Sequence, residues 1–201
     1  MNMRTFLVIA TIALPTIAFA ETPFVGKTGP LNFEVDSGRS QFTFSADTPA
    51  EKVAGTAKGI NGSFKIADAS NPETTSGTVN VPVAKMESGN NLRDEHMRGS
   101  EWLNGGAHPN ITFVIEKVTE IKANGNKASG KAHGKFTLNG VTKAITAPVQ
   151  IVYAADKNMV KVTTQFKVSL ADHQIKGQAG QIGSRVSPIV DVTCTLFAAA
   201  K

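Results

Sequence analysis

The sequence predicts an all-β fold: antiparallel strands closed into a barrel of about eight, with one short inserted helix. Three observations predict it. From Leu31 onward the chain runs in short stretches of period two, rich in Val, Ile, Thr and Phe and separated by Gly, Asn and Asp. Asn-Gly pairs stand between the longest of these stretches and supply the positive φ angles of tight hairpins. A single segment, beginning at Asn90, has no alternation at all.

The elements follow in order. Leu31–Val35, Gln41–Ala46, Lys52–Ala57, Ile60–Ile66 and Gly77–Val83 are the short early strands. The segment Asn90 to Leu103 then reads as a helix from about Leu92 to Gly99. With Asn91 as its cap, Asp94 and Glu95 fall in the first turn, where negative charge is favourable. Asp94 precedes Arg98 by four residues and is an ion-pair candidate. The runs Ile111–Ile121, Lys127–Leu138, Val141–Tyr153 and Met159–Leu170 form a meander, turning at Asn124-Gly125-Asn126, Asn139-Gly140 and Ala155–Asn158. Ser187–Phe197 is the closing strand.

Long, twisted antiparallel strands must protect their edges, and closure into a barrel does so completely. The inward faces then hold Phe42 with Phe44, Phe64 with Ile66, Val79 with Val81, and Phe113 with Ile115. They continue through Phe136 with Leu138, Val149 with Ile151, and Val162 with Phe166. Ala128, Gly130, Ala132 and Gly134 alternate in the same register as Phe136. Small residues on an inward face either leave volume for a ligand or merely allow the strand to bend in a solid core; the residues are compatible with both.

Before this domain, Arg4, the apolar stretch Phe6–Leu14, Pro15 and the ending Ala18-Phe19-Ala20 have the organisation of a secretory signal peptide. The expected division is therefore a signal peptide at 1–20 cleaved at Ala20/Glu21, a flexible tail at 21–30 and one domain at 31–199. Export would permit disulfides, but Cys194 is the only cysteine, so none can form within the chain. Its strand period places Cys194 on the face of Val190, Val192 and Leu196, as a buried small hydrophobe.

The chain carries 21 Lys and Arg against 16 Asp and Glu, a net charge of +5, and loss of Arg4 with the leader lowers it by one. These cations are scattered singly, and one Trp and one Tyr offer little for base stacking. Nucleic acid is therefore not expected as a partner. Unclustered positive charge is compatible with brief contact at anionic membrane surfaces, and a homodimer is left open.

Several stretches resemble the YceI-like family of exported proteins, polyisoprenoid-binding carriers with a lipocalin-like barrel. They are Phe33-Glu-Val-Asp36, Gly89-Asn-Asn-Leu-Arg-Asp-Glu-His-Met-Arg98, Trp102-Leu103 and His108-Pro-Asn-Ile-Thr-Phe113. Gly134-Lys-Phe-Thr-Leu-Asn-Gly-Val-Thr-Lys143, Pro148-Val149 and the run from Gly177 to Val186 with Gln181-Ile-Gly183 complete the set. The resemblance spans about Leu31 to Phe197. Ser184-Arg185 departs from the family pattern, in which an acidic residue usually follows Ile-Gly.

The resemblance implies an antiparallel eight-stranded lipocalin-like barrel with an apolar channel. It also implies a periplasmic, non-enzymatic carrier for a long-chain isoprenoid lipid of the quinone or polyprenyl phosphate type, with no cofactor beyond the bound lipid. Fatty acids or amides, bound during envelope stress, are the alternative ligands, and a solid-core interaction module is the alternative of another class. A flexible hydrocarbon needs dispersion contacts and exclusion of water, which the inward residues named above would supply as the channel.

The polar candidates cluster around the helix. Arg93, Asp94, His96, Arg98, Trp102 and His108 are expected at the barrel mouth, where they would meet a head group or hold the helix in place. For a phosphate head the paired donors of Arg93 or Arg98 are the natural partners. In an enzyme, His96, Asp94 and His108 would be the acid–base groups. The four histidines, His96, His108, His133 and His173, form no HExxH or HxH pattern, so no metal is expected. His133 is expected to face solvent. No GxSxG motif and no Gly-rich phosphate loop appears.

Overall fold

A computed structural model describes residues 22–201; the expected signal peptide at 1–20 lies outside the described residues. The strands are β1 (Leu31–Val35), β2 (Gln41–Ser45), β3 (Ala54–Ala57), β4 (Asn61–Asp68), β5 (Asn71–Pro82) and β6 (Met86–Glu87), followed by helix α1 (Asn91–Arg98). The long strands then follow: β7 (Asn110–Asn124), β8 (Lys127–Leu138), β9 (Val141–Ala154), β10 (Met159–Ser169) and β11 (Ile189–Ala200).

These eleven runs make an eight-stranded closed barrel, because three of the walls are interrupted strands. One edge of β11 pairs with β1 through Val35 and Ala198, and further along with β2 through Phe44 and Val192. β1 and β2 are therefore halves of one wall, broken at Asp36–Ser40. The break is stitched to Phe197, whose carbonyl accepts from the Asp36 N–H at 2.7 Å and whose N–H donates to the Ser40 Oγ at 3.0 Å. β3 and β4 form the next wall and β5 and β6 the third, so that the pairing of β1 with β11 closes the ring.

The differences from expectation have local causes. β5 begins at Asn71 rather than Gly77, because this stretch carries no hydrophobic alternation and is held by cross-strand pairing of Asn71, Thr75 and Ser76 with β4. β6 is two residues long, beyond a 3-10 turn at Val83–Lys85, and too short to show a period. The helix is capped by Asn90 rather than Asn91: its side chain accepts from the Arg93 N–H at 3.0 Å. Asp94 and Arg98 do not pair, since Arg98 donates to the Met86 carbonyl at 3.0 Å and Asp94 turns to Ser88.

Of the tail expected at 21–30, Pro23 and Phe24 are buried against the barrel, whereas Val25, Gly26, Thr28 and Pro30 are exposed. Phe24 is 2% exposed and lies edge-on to Tyr153 with ring centroids 5.1 Å apart. Thr22 Oγ1 donates to the Ala69 carbonyl at 2.7 Å, and Ala69 N–H donates to Gly29 O at 2.8 Å. One aromatic side chain outweighs the Gly and Pro content from which a linker was read, because its burial removes a large apolar area from water.

Phe24, Phe33, Phe64 and Tyr153 together plug one end of the barrel, with Phe33 stacked on Phe64 at 5.2 Å. Tyr153 meets the polar requirement of its burial by donating from its hydroxyl to Asn158 Oδ1 at 2.8 Å. The other end, where β2, β3, β6 and α1 gather, is hollow. The small residues Ala128, Gly130, Ala132 and Gly134 do not line this hollow; Gly130 and Gly134 lie close under Val118, Ile121 and Phe113.

Candidate functional site

The hollow end is a cavity of about 360 Å³ with an apolar wall and a polar rim. Its wall comes from residues of six strands, Met86 of β6 among them. Phe42 and Phe44 on β2, Phe136 and Leu138 on β8, and Val190 and Val192 on β11 all face it. Val168 and Leu170 at the end of β10 and Ile111 at the start of β7 continue the lining. Beneath, Phe136 and Phe166 meet edge to face at 5.6 Å. Burial of such apolar groups around a void leaves dispersion contacts unmade on the inner side, which a hydrocarbon ligand would restore.

Of the inward residues predicted from strand period, Phe42, Phe44, Phe136 and Leu138 line the cavity. Phe64, Ile66, Val79 and Val81 are buried in the main core away from it. Val149 belongs to a second small cluster with Val118 and Ala132, against which Phe113, Ile115, Ile151 and Val162 pack. Phe166 is only partly buried and packs against the main core. The period was right for these strands, yet which inward residues border a void depends on where the Phe24 to Tyr153 plug ends.

The rim is built on α1 and a hydrogen-bonded chain beneath it. Asp94, buried at 6% exposure, accepts at Oδ1 from the Ser88 N–H at 2.7 Å and from the Ser88 hydroxyl at 2.5 Å. Arg93 Nε donates to the same Ser88 oxygen at 2.8 Å, Nη2 to the Ser88 carbonyl at 3.1 Å, and Nη1 to Glu51 at 3.3 Å. The Glu51–Arg93 pair is about one-third exposed, so it sets position more than stability. Trp102 and His96 complete the lining on this side.

Among the expected mouth residues, Arg93, His96 and Trp102 therefore border the cavity, whereas Asp94 and Arg98 tie the helix to the strand below. His108 lies elsewhere, its ring over the Asn139-Gly140 turn, where a Cβ on Gly140 would come within 2.5 Å of it. His96, Asp94 and His108 do not form a hydrogen-bonded acid–base set. His133 sits between Thr119 Oγ1 at 2.7 Å and Thr146 Oγ1 at 3.0 Å, half-buried among hydroxyls.

Sequence reasoning missed Glu51, Ser88, Asn90 and Leu92 on the near side of the rim, and Ile175, Gln181, Arg185 and Val186 on the far side. The far group lies in the irregular stretch between β10 and β11, which carries no period. Leu170, Val190 and Val192 were within reach, being next on faces already read as inward. Cys194 is buried, and loss of solvation pushes its thiol up to about 12, which leaves it unreactive.

His173 packs edge-on against Phe136 of the cavity wall. It is 3% exposed, with Nδ1 at 3.0 Å from the Val141 carbonyl, and burial holds its imidazole below the ordinary value near 6.5, with Lys143 acting in the same direction.

Residues 33–198 match the family described as the YceI-like domain. Protein YceI of Escherichia coli O157:H7 is 28% identical over 142 residues, spanning 69% of this chain and 71% of that protein. A UPF0312 protein of Pseudomonas aeruginosa strain LESB58 is 31% identical over 137 residues, or 66% of this chain and 69% of its own length. Among solved structures, Burkholderia cenocepacia BcnA superposes with a TM-score of 0.71 at 20% identity, over 82% of this chain and 99% of that one. A polyisoprenoid binding domain from Saccharophagus degradans, implicated in plant cell wall breakdown, gives 0.68 at 14% identity, over 85% and 99%. These two likenesses concern the fold, and the match over the barrel settles the relationship: the chain belongs to the YceI-like family.

Proposed function

We propose that this protein is a non-enzymatic carrier that holds a single amphiphilic lipid, of the isoprenoid quinone or polyprenyl phosphate type, in the hollow end of its barrel. The observation that carries the reading is the separation of chemistry within one cavity: an apolar wall of Phe, Val and Leu, with polar groups confined to the rim at Glu51, Ser88, Arg93, His96 and Arg185. Such a site suits a molecule that is hydrocarbon at one end and polar at the other. Each buried methylene contributes about 0.8 kcal/mol, so the chain supplies affinity and the rim orients the head. The polyisoprenoid binding domain among the structural relatives supports the same ligand class.

The carrier is proposed to act in the periplasm after removal of residues 1–20, with brief contact at the membrane surface during loading. The test is native mass spectrometry of protein purified from a host that makes long isoprenoids, before and after solvent extraction. A discrete added mass that extraction removes, and that polyprenyl lipid restores with saturable quenching of Trp102, is the expected result. A fatty acid or amide mass would shift the reading to those amphiphiles. A bare mass and an unresponsive Trp102 with every lipid would overturn it.

A further inference from the structure

The barrel wall parts between β9 and β10. Their pairing runs from Met159 and Ala154 only as far as Thr164 and Val149. Beyond that point β9 continues on β8 to Val141, and β10 continues on β11 to Ser169, but the two facing edges carry no strand pairing to each other. Pro148 stands where the pairing stops; it has no N–H to contribute to a ladder and is accommodated where a strand has a free edge. The 3-10 turn Ala171–His173 bridges the wide end of the parting, through His173 Nδ1 on the Val141 carbonyl and Asn139 Nδ2 on the His173 carbonyl at 3.2 Å. Between that bridge and Pro148 no ladder joins the two strands.

The side chains agree. Lys143 lies directly across from Phe136 and so shares the inner face of the barrel, yet it is exposed. Ile145, opposite Gly134 on the same face, and Phe166 on the other side of the parting are only partly buried although both pack against the main core. Phe136 and Leu138, which pair with this stretch of β9, and Val168, on the adjacent stretch of β10, line the cavity. The partly buried Ile145 and Phe166 therefore stand between the side of the barrel and the cavity wall, which Phe166 meets edge to face at Phe136. The axial path is filled by Phe33, Phe64 and Tyr153.

We infer that the parting is a lateral subsite for the hydrocarbon tail: chains too long for the cavity leave the barrel sideways between Ile145 and Phe166, with the head retained at the Arg93 rim. This inference rests on the carrier reading. It explains how a cavity of about 360 Å³ serves a long-chain lipid without disturbing the aromatic plug. The openings also differ in chemistry as the two ends of such a lipid do, since the rim is polar whereas the side window presents Ile, Phe and the aliphatic stem of one lysine.

The test uses the native chain, isotopically labelled for NMR, with geranyl phosphate and decaprenyl phosphate each carrying a nitroxide at the tail end. The short chain should shift the Arg93 and Trp102 amides without broadening the window. The long chain should shift the same amides and broaden those of Ala144–Ala147 and Gln165–Lys167. Broadening at Phe33, Tyr153 and Val160 instead, or binding of the short chain alone, would overturn the lateral path while leaving the carrier reading intact. Failure of both lipids to shift any amide would overturn the carrier reading itself. Ile145→Trp, which narrows the window, should weaken the long chain about tenfold and leave the short chain unchanged; equal effects on both would count against the window.

Discussion

The imidazole of His173 stands edge-on to the ring of Phe136, with centroids 5.4 Å apart and planes at 83°. A protonated ring in that place would lack solvation, which is why its proton affinity is depressed. The unfolded chain then binds a proton at a pH where the folded chain does not. Stability is full above the ordinary value near 6.5 and falls as the pH drops from there toward the folded value. Thermal melts between neutral and mildly acidic pH should show this decline, and His173→Asn should flatten it in the same window. An unchanged slope in the variant would remove His173 as the cause.

Gly55 has no room for a side chain, since a Cβ there would sit 2.4 Å from the Phe44 ring and 2.4 Å from the Glu87 carbonyl. Phe44 is a cavity wall, so Gly55→Ala should drive it inward. We expect a loss of about 1–3 kcal/mol from overpacking, together with weaker lipid binding. Denaturant melts and Trp102 titration check the two effects separately.

Phe33, 1% exposed, anchors the closed end of the barrel against Phe24, Phe64 and Tyr153. Phe33→Ala should cost about 3–5 kcal/mol and yet leave lipid affinity unchanged in protein that remains folded. A parallel loss of affinity would show that the plug and the cavity are not independent.

Thr164 Oγ1 is buried with no hydrogen-bond partner among the described residues, on β10 between Val149 and Cys194 in register. A hydroxyl so placed has given up water without compensation. Thr164→Val keeps the shape and removes the polar atom, so it should raise stability by about 1 kcal/mol in equilibrium unfolding. A destabilised variant would mean that the hydroxyl has a partner in solution.

The strand content of this protein was legible because one face of each strand is wet and the other dry, which writes a period of two into the chain. Asn124-Gly125-Asn126 and Asn139-Gly140 placed the long hairpins for an equally local reason, the positive φ values at Gly125, Asn139 and Gly140. The helix was legible from its lack of alternation, though its cap moved to Asn90 and Asp94 found Ser88 rather than Arg98. What could not be read was any relation between distant segments. Phe24 looked like tail because its partner Tyr153 lies far along the chain. Arg185 and Gln181 carried no signal because an irregular loop reaches the rim only after β10 and β11 have been placed. The burial period makes Phe64 and Phe136 equally inward, and only the closing of the ring puts one in a solid plug and the other against a void. Local periodicity thus determined the strands and the faces they bury. The tertiary structure decided where the barrel is full and where its wall opens, because those depend on how much side-chain volume the assembled walls enclose.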